Sequence, residues 1–432
     1  MNQLLNSAAF IVGLVAVSSN PAFAEPVLGE AEERIIRYES NEGLADPVSL
    51  LQKRLNSGAV SLNFEAGRGY LSSLLKELRL SKSSQGLVFS KTSTQRAHIN
   101  PQTPRAVYFG DDVSLAWVPG GDVIDIAAID PSRGPIFYTL AQASNRPPRF
   151  VRGENCMECH LGPKTLNVPG LLVQSVHTAS NGVPLAAVDG FVSGHNSPLR
   201  ERWGGWYVTG THPGEVHLGN IFSGDLENPE LVQPQAGANV TDLRERFDTS
   251  RYLTPHSDLV ALLVLEHQVR MQTLITRANY ETRFALSELS NNGNPSGWPQ
   301  KRMAQAGELL LEYMLFCNEA PVKGPLKGTS GYAEEFEHVG PFDSKGRSLR
   351  QFDLQTRLMR FPCSYLIYSP SFDALPREMK SYLWRRLEEV LTGKDKSATY
   401  ASLTAQDRRA VMEILLETKP EFQAWTRMAR GS

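Results

Sequence analysis

The sequence predicts an α+β protein, with a strand-rich N-terminal half that carries a Cys-x-x-Cys-His motif and a helical C-terminal half. Three observations carry that expectation. Four short strand-like runs follow one another between Ala106 and Leu140. A long apolar stripe at helical spacing begins at Ser257. Amphipathic patterns over 377–392 and 404–418 close the chain.

Taken in order, 30–57 and 67–80 have mixed helical patterns. The strand-like runs are AVYFG, VSLAWV, VIDIAAI and PIFYTL, separated by Asp111-Asp112, by 119–122 (PGGD) and by 130–135 (DPSRGP). These separators are good turn chemistry, so the runs predict a meander that leads straight to the motif. LLVQSVHTA, PLAAVDGFVSG and WYVTGT continue the strand-like reading to about residue 222, and 225–255 reads as a long connection. Ser257 is the expected N-cap of the long helix, with Asp258 favourable in its first turn. That helix is expected to stop before Asn291, and another to cover 301–316. The Gly- and Pro-rich segment 320–348 is long for a simple turn and reads as a covering or functional loop. The organisation expected is therefore 1–24, 25–230 and 231–432, with no internal repeat.

The first 24 residues are different in kind. Asn2 to Ala24 has no charged residue, Ala8–Val17 is an apolar run, and the segment ends Ala22-Phe23-Ala24 before the first charge at Glu25. This apolar run is too short for a bilayer, which needs roughly 20 residues. It is the anatomy of a secretory signal, although no Lys or Arg precedes the run. The mature chain is then expected in the bacterial periplasm, with no membrane span. A net charge of -2 supplies no electrostatic footprint for nucleic acid.

Export makes the four cysteines interpretable. Cys156-Met157-Glu158-Cys159-His160 is the attachment string of c-type haem. Cysteines three apart on a helical turn share a face, from which two sulfurs reach the two vinyl groups of one porphyrin. The histidine four residues after the first cysteine shares that face and can point its imidazole at iron. The expected cofactor is one covalent haem c, with Cys156 and Cys159 as attachment points and His160 as axial ligand. Two other readings of the string stand beside it. A thioredoxin-like pair needs a βαβ setting, and Arg146-Pro147-Pro148-Arg149 breaks any helix or strand lead-in. A zinc site needs two further ligands at close spacing, and Cys317 and Cys363 stand far away. For that remaining pair, a disulfide and two separate core thiols are both open.

The flanks are not those of a small stand-alone class I cytochrome c. Gly162-Pro163 follows the motif almost at once and Pro169-Gly170 comes later; either region could supply the carbonyl that orients His160. Six of the nine histidines lie between His177 and His267, so some could border the haem; each could equally be a hydrogen-bonded structural histidine. Arg202-Trp203-Gly204-Gly205-Trp206-Tyr207 offers an arginine and indoles for a porphyrin edge, against a reading as core packing around glycines. His267 and Met271 share a face of the long helix with Leu263, Leu274 and Ala278. That stripe makes Met271 the candidate distal ligand, with His217 the runner-up and ordinary core packing the alternative.

Several strings together resemble a known group: FVRGENCMECH, SPLRERWGGWYVTGTH, HLGN, YLTPHSDLVALLVLEHQ, RANYETR and FPCSYLIYSPSFDALP, spread over about 107–417. The group is that of large, uncharacterised exported bacterial cytochrome c-like proteins with a single haem motif. The resemblance implies haem binding through Cys156, Cys159 and His160, with electron transfer to a redox partner protein as the generic activity, and it implies no substrate. At Leu218 this chain departs from relatives that have Met in the HLGN string. Size keeps a second function in view. One c-type haem needs only about 80–120 residues, and this chain has 432. A haem-dependent oxidoreductase, peroxidase-like or acting on a small molecule, is the alternative, and a haem-based sensor is a third. Two strong protein ligands on iron favour a relay; an open sixth position favours the others.

Overall fold

The computed structural model describes residues 28–153, 155–185, 190–222, 233–292 and 297–431. The segment 1–24, read as a secretory signal, lies outside them. The N-terminal half contains a seven-stranded antiparallel sheet and the C-terminal half is mostly helical, as the sequence predicts.

The chain opens with three short helices, α1 (Glu30–Ile36), α2 (Pro47–Asn56) and α3 (Leu71–Glu77). Asp46 caps α2, its Oδ1 accepting from the amides of Val48 and Ser49 at 3.0 Å each. Its Oδ2 accepts from the Tyr138 hydroxyl at 2.8 Å, which ties the helix to the sheet. The meander itself is β1 (Gly86–Val88), β2 (Arg105–Phe109), β3 (Val113–Trp117), β4 (Val123–Asp130), β5 (Gly134–Ala141) and β6 (Phe150–Arg152). The spatial order is β6-β5-β4-β3-β2-β1, and a two-residue strand, Trp206–Tyr207, completes the other edge beside β1.

Alternation along these strands separates two faces. Ala106, Tyr108, Leu115, Trp117, Ile124, Ile126, Ile136 and Leu140 are buried and pack with α1–α3 in one apolar cluster. The opposite face presents Arg105, Val107, Ser114, Ala116 and Asp125, all half-buried. Register places Val107 opposite Ala116 and Ala116 opposite Asp125, so they form one row across the sheet. These side chains are half-buried because they border a cavity.

Two parts of the strand reading are corrected. The Arg146–Arg149 breaker does not prevent a strand before the motif, because Phe150–Arg152 pairs with β5. Two bonds anchor that edge: Arg152 donates to the carbonyls of Tyr38 at 2.9 Å and Glu39 at 3.0 Å. After the motif, among the described residues, the strand-like runs yield only Gln174–Ser175, Phe191–Val192 and Trp206–Tyr207. The other described residues of these runs form no named strand.

The long helix α5 spans Leu259–Asn292. Its N-cap is Asp258 rather than Ser257: Asp258 Oδ1 accepts from the amides of Val260 and Ala261 at 2.8 and 3.0 Å. Its Oδ2 takes the amides of Thr329 and Ser330, holding the 320–348 segment against the helix start. Ser257 instead bridges the sheet edge, donating to the Tyr207 carbonyl at 2.6 Å and accepting from the Leu87 amide at 2.9 Å. Helices at Trp298–Met314, Arg377–Leu391, Ala405–Thr418 and Pro420–Gly431 complete the bundle, the last of them unforeseen. One large apolar core takes Val88, Phe109, Val173 and Trp206 from the first half together with α5 and the later helices. The two halves are thus packed as one body around α5. Among the described residues no helix is long and apolar enough to cross a membrane.

Candidate haem site

β6 delivers the chain to the motif. Gly153 continues the pairing, its amide donating to the Phe137 carbonyl at 3.0 Å. One helical turn, α4 (Met157–His160), follows, with Cys156 at its N-terminus. The His160 amide donates to the Cys156 carbonyl at 3.0 Å, so the i,i+4 relation expected for cysteine and histidine is realised.

What comes next explains why Gly-Pro stands so close behind. Leu166 and Asn167 both adopt left-handed backbone (φ 58° and 59°), which turns the chain back on itself. Pro169-Gly170 therefore returns beneath the motif. The Gly170 amide donates to the His160 carbonyl at 2.9 Å, and the Gly170 carbonyl lies 2.8 Å from His160 Nδ1. A carbonyl only accepts, so Nδ1 carries the proton and Nε2 is left with a free lone pair. The second of the two expected regions, not Pro163, supplies the orienting carbonyl. The Phe137 ring, 4.5 Å from the imidazole centroid and tilted by 31°, limits rotation. Burial lowers the His160 pKa, opposed by the Gly170 bond and reinforced by the nearby Arg105 charge. A neutral imidazole with an oriented, unprotonated Nε2 is the ligand form of histidine.

Cys156, Cys159 and His160 all line one cavity of about 230 Å³. Its floor is the half-buried sheet face, with Arg105, Val107, Ser114, Ala116, Asp125, Ala127 and Phe137. The wall opposite includes Leu171–Gln174, Trp206 and the α5 residues Leu265 and Val269, and Thr92–Thr94 also borders the cavity. Small side chains at Ser114, Ala116 and Ala127 leave a flat, mostly apolar surface, suited to a planar ring. Cys156 is half-buried and Cys159 exposed, neither bridged. Burial raises the Cys156 thiol, with the Asp125 carboxylate adding to the effect. The donor set therefore fits a covalently held haem: two free thiols, one oriented imidazole nitrogen and an apolar chamber open to all three. It fits the other readings less well. The sheet is antiparallel, so the motif does not open a βαβ unit. Among the described residues no group of three or more His, Cys, Asp or Glu could hold a metal ion.

The other candidates lie elsewhere. Met271 is fully buried in the helical core and does not line the cavity. On α5 the cavity face is Leu265 and Val269; Met271, the candidate distal ligand, lies about 200° round the helix from Val269. His217 is also buried away from the cavity, with its Nδ1 accepting from the Gly219 amide at 3.0 Å and its ring 4.6 Å from that of His212. His267 packs against His195, their Nδ1 atoms 3.0 Å apart, and bonds Ser364 through Nε2 at 2.8 Å. Of the nine histidines only His160 lines the cavity. The Arg202–Tyr207 string is split: Trp206 lines the cavity, whereas Arg202 pairs with the buried Glu266 at 2.8 Å. Cys317 and Cys363 form no bridge; both are buried in the helical core, where burial pushes the Cys317 thiol up to about 12 and the Cys363 thiol higher still.

Sequence reasoning missed Arg105, Asp125 and the Leu171–Gln174 wall. The first two were findable: each is a charged residue at an inward position of a strand whose neighbours alternate apolar and small. The wall was not, because nothing local marks which stretch of irregular chain will cover a sheet. Compared with known protein families, curated proteins and solved structures, the chain matches none.

Proposed function

We propose that this chain is a mono-haem c-type cytochrome, with thioether bonds at Cys156 and Cys159 and His160 as the axial ligand. The observation that carries the reading is the bond between His160 Nδ1 and the Gly170 carbonyl at 2.8 Å, made by a histidine that shares its cavity with both cysteines. Haem supplies one-electron chemistry when bound, and electron transfer with a redox partner protein is the activity proposed. In this reading Phe137 and Gly170 hold the imidazole, while Leu171–Val173, Leu265 and Val269 exclude water. The resemblance to large exported cytochrome c-like proteins agrees, and export would place the mature chain in the periplasm, beginning at Glu25.

One observation favours the second reading, a haem-dependent oxidoreductase acting on a small molecule. Among the described residues that line the cavity there is no methionine and no second histidine, so these offer no strong sixth ligand. Production with a c-type maturation system should yield a polypeptide that stains for haem after denaturation. Colour that leaves the chain on acid-acetone extraction rules the reading out.

A further inference from the structure

Arg105 is a half-buried cation that makes no ion pair among the described residues; the Asp125 carboxylate acts on it only from beyond ion-pair distance. It sits at the start of β2 on the cavity face, and its Nε is shut off from solvent with no hydrogen-bond partner. Among the described residues no carboxylate lies within ion-pair distance of its guanidinium. The contrast with Arg202 is direct: that guanidinium, more deeply buried, has Glu266 at 2.8 Å and donates to the carbonyls of His195 and Ser197. The acid nearest in the cavity lining is Asp125, but its Oδ2 is taken by Gln95 Nε2 at 2.7 Å. A cation held partly out of water without a partner is unfavourable, so a guanidinium facing a chamber points to an anion in that chamber.

The lining restricts what that anion can be. The titratable groups facing the cavity are Arg105, Asp125, Tyr138, Cys156, Cys159 and His160, and Arg105 alone is a fixed cation. A planar guanidinium matches a carboxylate in two parallel bonds. Haem c carries its two propionates on the edge opposite its thioethers, and Arg105 would hold one of them from the cavity it shares with Cys156 and Cys159.

We infer that Arg105 is the carboxylate-binding residue of this cavity and that it pairs with a propionate of the porphyrin held at Cys156 and Cys159. The inference rests on the haem reading above. Arg105 is then a positioning residue: it fixes the far edge of the ring while the cysteines fix the near one. Its charge also favours the reduced, less positive haem and keeps the propionate ionised.

The test compares the parent with Arg105→Gln and Arg105→Lys, all produced with c-type maturation. Haem staining after denaturation is read first, then the midpoint potential across pH. The expected result is that all three stain. The Gln variant should have a lower potential, with the fall that accompanies propionate ionisation moved to higher pH. The Lys variant should recover much of the parental profile. A stained Gln variant with the parental potential and pH profile overturns the inference and leaves the haem reading intact; a parent that does not stain overturns both. Acetate titration separates the other source of a carboxylate: a saturable potential shift in the parent that Arg105→Gln abolishes assigns Arg105 to a free ligand and overturns the propionate pairing. Should the Gln variant fail to fold, infrared spectra of the parent with ¹³C-labelled propionates decide. The inference requires one propionate ionised at a pH where both propionates of exposed haem are protonated, and two protonated propionates overturn it.

Discussion

His160 and Gly170 are joined twice: the imidazole Nδ1 donates to the Gly170 carbonyl at 2.8 Å, and the Gly170 amide donates to the His160 carbonyl at 2.9 Å. The nine residues between them are thereby closed into a loop that holds the imidazole in one orientation.

That loop tolerates nothing larger than glycine at its closing point. A Cβ on Gly170 would lie 2.9 Å from both Thr165 Cβ and Thr273 Oγ1, the second on α5. Gly170→Ala should therefore cost about 1–3 kcal/mol through overpacking and displace the carbonyl from Nδ1. The expected outcome is a lower denaturation midpoint together with an altered visible spectrum of the haem-loaded protein. An unchanged spectrum would show that His160 does not depend on this bond.

On the oxidoreductase reading, the cavity lining predicts an accessible sixth position. Reduced, haem-loaded protein should bind carbon monoxide, with a shift of its visible bands. Met271→Ala should leave those spectra unchanged while destabilising the fold by about 2–5 kcal/mol, the usual cost of emptying a buried site. A sulfur-to-iron band in the oxidised parent that disappears in this variant would contradict the placement of Met271.

Both thiols of the helical core should be recoverable. Cys317 and Cys363 are unbridged, and burial holds both protonated and unreactive at neutral pH. Alkylation of the native protein should miss them, and alkylation after denaturation without reductant should label both. A peptide joining the two in a non-reducing map would refute the unbridged arrangement.

Acid should weaken the fold through its buried histidines. Burial pushes His267 and His217 down to about 3 in the folded state, below the roughly 6.5 of an unfolded chain. Between those values the unfolded state binds the extra protons, so stability is complete above about pH 6.5 and declines as pH falls towards 3. Each histidine contributes ~1.4 kcal/mol per pH unit within that window. Urea titrations from pH 7 to about 4.5 should show the decline, and His267→Gln should flatten it. A parental slope retained in that variant would place the protons elsewhere.

Sequence alone determined what is local. The Cys156–His160 string needs only one helical turn, and turn chemistry between alternating strands needs only neighbours, so the motif, the meander and the helices at 377–391 and 405–418 were all legible. Even the orienting carbonyl was narrowed to two prolines. The C-terminal shift of the α5 cap, from Ser257 to Asp258, lay within what pattern can resolve. Tertiary structure decided everything that depends on which surfaces meet. The apolar stripe of α5 is broad enough that spacing could not say which residues face the cavity; packing assigned Leu265 and Val269 to it and sent Met271 into the core. The same holds for Arg202 and Arg105. Both are arginines near aromatic or apolar neighbours, but burial beside Glu266 neutralises one, while a strand register fixed across the sheet leaves the other facing the chamber. A charge has meaning only relative to what surrounds it, and that surrounding is assembled from residues far apart in the chain.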